Sequence, residues 1–217
     1  MNPPINPNVE DDSQLIFATG ECSLGQVLIA GISDGNSKTR VSYLALGDDR
    51  ESLLIDLASA HSNRKRVETK SAFQAELASA IEFIEQPAEP LRLPVNLFGT
   101  DFQKQVWTEL TQTEPGETVT YRELADRIGS PGSSRAVGAA CGQNQIALAI
   151  PCHRAVRSDG KDSGFRWGLD RKRELLRREK IVSGASVEPA NNQLHLAGFQ
   201  TTPAESLSVA RTTRTQP

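Results

Sequence analysis

The 217-residue sequence has three cysteines, Cys22, Cys141 and Cys152, an odd number with no CxxC pair and no Cys/His spacing suited to zinc. That speaks against a disulfide framework and for free thiols in a reducing, cytosolic setting. No run of about 18 apolar residues occurs, which excludes a membrane-spanning helix. The stretch Met1 to Asp12 is rich in Pro and Asn and ends acidic, so it lacks the basic and then apolar pattern of a secretory signal. The chain also lacks a dominant charge, with a net of −3. That small value hides an asymmetry: residues 1–94 carry 8 basic against 14 acidic side chains, and residues 95–180 carry 14 against 11. Arg166, Arg171, Lys172, Arg173, Arg177, Arg178 and Lys180 crowd one short stretch, which suits either a nucleic-acid contact or a solvated helix face.

What is present divides into two parts. Residues 1–13 read as disordered. Leu15–Thr19, Gln26–Ile32 and Thr39–Leu46 read as short strands separated by glycine-rich and Asp/Asn/Gly turns. Asp48 with Glu51 signals a helix carrying Leu53, Leu54 and Leu57, and Ser71 with Gln74 signals another carrying Phe73, Leu77, Ile81 and Ile84. His61 to Lys70, between them, reads as a polar loop. Cys22 reads as packing. Residues 14–88 are therefore expected to form a small α/β domain, with residues 89–98 as a proline-marked linker.

Residues 99–182 are expected to form a second, mostly helical domain. Thr100 with Gln103 makes a capping box before Phe102, Val106, Trp107 and Leu110. Thr120 with Glu123 caps a helix that ends at Gly129. After Ser130-Pro131-Gly132, Ser133 or Ser134 can cap a third helix from Arg135 to about Cys141. Two capped helices about a tight turn have the form of a helix-turn-helix, or of an ordinary helical hairpin. The third helix carries one leading arginine and then small apolar residues. It can pack closely on the protein's own core or enter a minor groove, where width matters more than a hydrogen-bond code. Residues 183–217, rich in Ser, Thr, Ala, Pro and Gln, read as a disordered tail.

One stretch combines groups that can do chemistry. Ile146–Ile150 reads as a short buried strand running into Pro151-Cys152-His153-Arg154, followed by a glycine-punctuated loop. A thiol is nucleophilic at neutral pH only when its thiolate is stabilised. His153 is adjacent, but neighbours in extended chain point to opposite faces, so a bend or a bridging water is required. Glu179 lies four after Leu175 and three after Leu176, on the apolar face of its helix, and a carboxylate there needs a partner. Asn144, at the turn before the strand, is placed to hydrogen-bond nearby backbone.

Pro151-Cys152-His153-Arg154 resembles the active-site signature of the O6-alkylguanine-DNA alkyltransferases, or methylated-DNA–protein-cysteine methyltransferases. Phe102–Trp107, Gly116–Tyr121, Arg135-Ala136-Val137-Gly138, Asn144, Ser163–Gly168 and the helix ending in Glu179 follow that family's order and spacing. The likeness covers about residues 14–182. It looks closest to the bacterial Ada-type members, with no room for their separate metal-binding phosphotriester-repair domain.

The resemblance implies an α/β (α+β) fold. Its N-terminal domain would be ribonuclease H-like with an antiparallel sheet, and its C-terminal domain would carry a winged helix-turn-helix-like motif. It implies direct-reversal DNA repair in the bacterial cytosol by a monomer. An alkyl group would pass once and irreversibly from O6 of guanine, or O4 of thymine, in duplex DNA to Cys152, without metal or organic cofactor. In that scheme His153 acts as base through water, Glu179 orients it, and Asn144 braces the turn. Tyr121 helps turn out the nucleotide and Arg135 fills its place. Ser133, Ala136, Val137, Gly138 and Ala140 contact the minor groove, and Ala155, Phe165, Arg166 and Trp167 line the base pocket. Phe165 departs from the family, which usually has tyrosine there; the ring can still stack, but any hydrogen bond from the hydroxyl is lost. Cys141 reads as close packing. A non-catalytic sensor of alkylated bases is the alternative, and Cys152 speaks against it because relatives of that type lack the cysteine. A Cys-His hydrolase would be expected to hold its pair far apart in sequence.

Overall fold

A computed structural model describes residues 14–33, 39–69 and 71–183. Strands β1 (Gln14–Cys22), β2 (Gly25–Ser33) and β3 (Arg40–Gly47) form an antiparallel meander. Their Val, Ile, Leu and Phe side chains fit a pleated surface and bury their inner faces. The β1–β2 turn needs glycine at position 25: its φ is +107°, and a Cβ there would lie 2.3 Å from the Gly47 carbonyl oxygen. Helix α1 (Arg50–Ala60) packs on the sheet, and α2 (Gln74–Glu85) follows.

The expected loop at 61–70 contains a further strand, β4 (Arg66–Glu68), which pairs parallel to β1 and makes the sheet order β3-β2-β1-β4. Its three residues, exposed on both sides of Val67, carry no alternation long enough to read as a strand. The helix caps also shift. Asp49, not Asp48, caps α1 by accepting from the Ser52 amide at 2.8 Å. The expected Ser71 cap is absent because that hydroxyl pairs with Thr69 at 3.1 Å, and α2 starts after the buried Phe73.

The second half builds α3 (Asp101–Leu110), β5 (Val119–Thr120), α4 (Tyr121–Arg127), α5 (Ser134–Gly142), a 3-10 turn (Cys152–Arg154), β6 (Ala155–Val156) and α6 (Leu169–Ser183). Both capping boxes form, at Thr100/Gln103 and Thr120/Glu123. Gly129, at φ +70°, closes α4: the Gly129 amide reaches the Asp126 carbonyl and the Ser130 amide reaches that of Ala125. The short β5–β6 pair is the parallel wing beside the α4–turn–α5 unit.

Two backbone ties bind this half to the free edge of β3. Val41 exchanges hydrogen bonds with Pro94 and Asn96, and Leu44 with Gln145 and Ala147. They cover an edge that would otherwise present unpaired backbone groups. They also anchor the turn that precedes the Cys-His segment. Ile146–Ile150 is that turn and not the expected strand. Only Ile146 bridges to Leu44, Leu148 takes a positive φ of 66°, and the Ile150 amide returns to the Ile146 carbonyl at 3.1 Å. An apolar run signals burial, and five residues do not distinguish a buried strand from a buried turn. The disorder expected for 1–13 and 183–217 falls outside the described residues, except that Ser183 closes α6. Among the described residues no helix is long and apolar enough to cross a membrane.

Candidate active site

Asn144 assembles the reactive segment. Its Oδ1 accepts from the Ile146 amide at 2.8 Å, while its Nδ2 donates to the Ile150 carbonyl at 2.9 Å and approaches the Cys152 sulfur at 3.2 Å. One fully buried amide thus closes both ends of the turn and touches the thiol. Pro151 leads into a single 3-10 turn, so successive side chains leave the axis roughly a third of a turn apart. Cys152 and His153 therefore diverge, as their adjacency required. Burial pushes the Cys152 thiol up to about 11; the Asn144 donor, Lys172 and Arg166 pull the other way.

On the far side of the turn, His153 Nε2 lies 2.8 Å from Glu179 Oε1, with both side chains fully buried. Arg154 embraces the same carboxylate, with Nε 3.1 Å from each oxygen and Nη2 2.8 Å from Oε1, and the Gly116 amide adds a fourth donor group at 3.3 Å. The Arg154 Nη1 is held by the Thr113 carbonyl. Burial would raise the Glu179 pKa, but the hydrogen bonds from His153 and Arg154 and the charge of the Arg154 guanidinium prevail and hold it at about 2. Burial pulls the His153 pKa down, against the opposing pull of Glu179. The resting pair is a carboxylate and a neutral imidazole. A carboxylate accepts, so Nε2 carries the proton, and Nδ1, which has no protein partner, carries the free lone pair. That leaves a base held in one tautomer and one orientation.

Cys152 opens onto a cavity of about 290 Å³ walled by Tyr121, Gly138, Cys141, Gly142, Phe165 and Arg166. A second cavity of about 430 Å³ shares Tyr121, Gly138 and Gly164 with it and adds Arg122, Ser134, Arg135 and Arg157. Small residues on α5 leave the opening, and the 158–166 loop forms the opposite wall.

The structure brings together Cys152, His153, Asn144 and Glu179, and it places Tyr121, Phe165 and Arg166 on the cavity. Arg135 and Ala136 are exposed on α5. Other expected positions lie elsewhere. Val137 and Ala140 face the core, where the Ala140 carbonyl accepts from Trp107 Nε1 at 2.9 Å, so they are no surface for a partner. The α5 face against α3 is the apolar one, and on a nine-residue helix only the opposite face can be presented. Ser133 spends its hydroxyl on the Ser130 carbonyl at 2.6 Å. Ala155 and Trp167 are buried behind the cavity wall, with Trp167 edge-on to Phe165 at 5.1 Å. The basic cluster on α6 is spent internally. Arg171 pairs with Asp48, Arg173 with Asp162, Arg177 with Glu174, and Arg178 with Glu174 and Glu85. The Arg171–Asp48 and Arg178–Glu85 pairs stitch α6 to the sheet half, and the others close within the helical half, so these four arginines are matched by carboxylates.

Two buried cations escaped the sequence reading. Arg154 stands in the sequence only as part of its motif, and Lys172 only as one of the cations crowding one short stretch. Lys172 is 3 % exposed, and its spacing to Leu175, Leu176 and Glu179 (three, four and seven residues) was the available signal that it shares the inward face.

Residues 101–181 match the family model for the 6-O-methylguanine DNA methyltransferase, DNA binding domain. The chain is 41% identical over 163 residues to the Escherichia coli bifunctional transcriptional activator/DNA repair enzyme Ada, covering 75% of this chain and 45% of that one. It therefore spans about half the length of that relative. It is 35% identical over 179 residues to the methylated-DNA–protein-cysteine methyltransferase of Debaryomyces hansenii, covering 76% of this chain and 91% of that one. Among solved structures, Mycobacterium tuberculosis OGT in complex with DNA superposes with a TM-score of 0.62 at 29% identity, over 77% of this chain and 94% of that one.

Proposed function

The chain belongs to the methylated-DNA–protein-cysteine methyltransferase family, and from that premise we propose that it repairs O6-alkylguanine in duplex DNA by moving the alkyl group to Cys152. The observation that carries this reading is a thiol at the floor of a base-sized cavity, with an oriented histidine–carboxylate pair behind it. A water between Cys152 Sγ and His153 Nδ1 passes the thiol proton to the imidazole, and Glu179 balances the imidazolium that forms. The thiolate attacks the alkyl carbon in line. The S–C bond forms as the C–O6 bond breaks, and its electron pair leaves on guanine, which then takes a proton. The step balances as thiol plus alkyl ether to thioether plus guanine and calls on no co-reactant. A thioether has no route back to thiol in this site, so each molecule reacts once.

Access follows from the α4–α5 unit lying along the minor groove. Arg135 enters the stack in place of the target nucleotide and Tyr121 guides its backbone, while Phe165 packs on the flipped base within the cavity. Flipping costs a few kcal/mol and less for a poorly paired alkylated base, which favours damage over normal guanine. We place the reaction in a monomer in the bacterial cytosol.

The test is mass spectrometry of the protein after incubation with O6-methylguanine duplex. One added CH2 on the Cys152 peptide, saturating at one per molecule, is expected. Tight binding with DNA left unmodified would replace this reading with a sensor, and turnover beyond one equivalent would remove the single-use mechanism.

A further inference from the structure

The 430 Å³ cavity beside the thiol has a charge pattern that the transfer scheme leaves unused. It adjoins the thiol cavity at Tyr121, Gly138 and Gly164, and three guanidiniums stand on its walls: Arg122 from α4, Arg135 from α5 and Arg157 from the loop after β6. Arg157 alone of the three closes on a carboxylate among the described residues. Its fork grips Asp159, with Nε 2.9 Å from Oδ1 and Nη2 2.7 Å from Oδ2. The backbone also holds that carboxylate in place. Asp159 Oδ1 accepts from the Lys161 amide at 3.2 Å, and between them Gly160, at φ +70°, brings its amide 3.3 Å from the Arg157 carbonyl oxygen. Asp162, the other acid on this wall, is turned to Arg173 of α6. Asp159 is therefore the anion that the cleft's own guanidiniums meet.

This is an anion seat with an internal occupant. The side chains of Arg157 and Asp159 are 51% and 39% exposed, and an ion pair so open to water contributes little and exchanges readily. A guanidinium fork that fits two carboxylate oxygens also fits two phosphate oxygens. The place of the seat decides which anion takes it. A base lodged in the thiol cavity leaves its sugar and phosphodiesters outside, and the cleft that shares the cavity's walls is bordered by Arg157. Arg135, which enters the base stack, is not available for that phosphate. A carboxylate and a phosphate on one guanidinium repel each other, so the arriving phosphate displaces Asp159.

We propose that Arg157 is a phosphate-binding residue that changes partners: it holds Asp159 in the free protein and a phosphodiester of the turned-out nucleotide in the DNA complex. Asp159 is a built-in competitor for that seat. It weakens the grip of Arg157 on phosphate by the strength of the ion pair given up. The inference rests on the proposed function, which puts the duplex along α4–α5 and the flipped base in the thiol cavity.

The experiment is equilibrium binding of a fluorescent O6-methylguanine duplex, followed by anisotropy over a series of salt concentrations. Every protein is the full chain with Cys152→Ala, so that no alkyl group moves. Arg157→Gln should bind roughly tenfold more weakly at low salt, and its slope of log affinity against log salt should fall by about one. Asp159→Asn should bind about two- to fivefold more tightly, with the slope unchanged. Combined with Arg157→Gln, Asp159→Asn should lose most of that gain. An unchanged slope for Arg157→Gln would show that this guanidinium reaches no phosphate and would overturn the proposal. An equal gain from Asp159→Asn with and without Arg157 would reduce Asp159 to an ordinary repelling charge and overturn the exchange. If the slopes behave as expected but protein with Cys152 intact takes up no methyl group from the same duplex, the proposed transfer fails and the phosphate seat stands. Absence of duplex binding in every variant would sink both.

Discussion

Of the eight polar or charged side chains buried among the described residues, Ser42 belongs to the sheet half, whereas Thr113, Asn144, His153, Arg154, Ser163, Lys172 and Glu179 all lie in the helical half. The sheet half buries Leu15, Val27, Leu28, Ile29, Leu44, Leu57 and Phe73 with almost no polar group among them. Its stability is the non-directional kind that scales with apolar area. The helical half withdraws a carboxylate, a guanidinium, an ammonium and an imidazole from water and satisfies nearly all of their hydrogen-bonding groups. Such burial adds little net stability, so its use lies in holding charges at fixed places. The difference locates the chemistry, and the sheet half serves as the support to which β3 ties the reactive turn.

The largest effect expected from breaking this contrast is at the thiol. Cys152→Ala should abolish transfer to the protein while DNA binding by gel shift is retained; methyl groups appearing on Cys141 would show that the wrong thiol had been assigned. Next, Glu179→Ala should leave Arg154 buried without its anion and cost about 3–5 kcal/mol in urea denaturation. Leu44→Ala in the sheet should cost a comparable 2–5 kcal/mol by leaving a cavity.

Those two losses differ in their pH dependence. The folded pKa of Glu179, about 2, lies below its ordinary 4.5, so its contribution is present above 4.5 and is lost as pH falls toward 2. The folded pKa of His153 lies below 6.5, so protons favour the unfolded chain, and stability also falls as pH drops below 6.5. Leu44→Ala should keep this acid sensitivity, and Glu179→Ala should lose the part of it below 4.5. Parallel curves for both variants would mean that the network does not carry the charge states described.

A smaller effect is expected on the presenting face of α5. Arg135→Ala should slow repair of duplex roughly tenfold, the equivalent of about 1.4 kcal/mol, and leave the reaction with free O6-benzylguanine unchanged. Equal losses would make Arg135 structural. Smallest of all, Phe165→Tyr should change the transfer rate by about twofold or less, since the ring's packing on His153 at 6.2 Å and on Trp167 is kept.

Much of this molecule was legible in its sequence because the relevant signals are local. The three strands of the meander and both capping boxes depend on residues within a few positions of one another. So did the placement of Glu179, which needed only the spacing of one helix. Features set by distant partners were not legible. β4 exists because β1 offers it an edge. Ile146–Ile150 turns because Asn144 and β3 hold both its ends. Val137 and Ala140 point inward because α3 lies on that side.

By itself, then, the sequence determined which residues carry reactive chemistry, where most helices begin, and that a carboxylate would face the core. Only the tertiary structure decided what those groups meet. It gave His153 a single tautomer through Glu179 and turned Cys152 away from its neighbour toward a cavity. It also tied Arg171 and Arg178 of α6 to carboxylates of the sheet half and buried the Lys172 ammonium against the Ala155 carbonyl and the Ser163 hydroxyl. The reason is physical: backbone propensities act between near neighbours. The charge state of a buried group is set by every dipole and charge packed around it, and those come from distant parts of the chain.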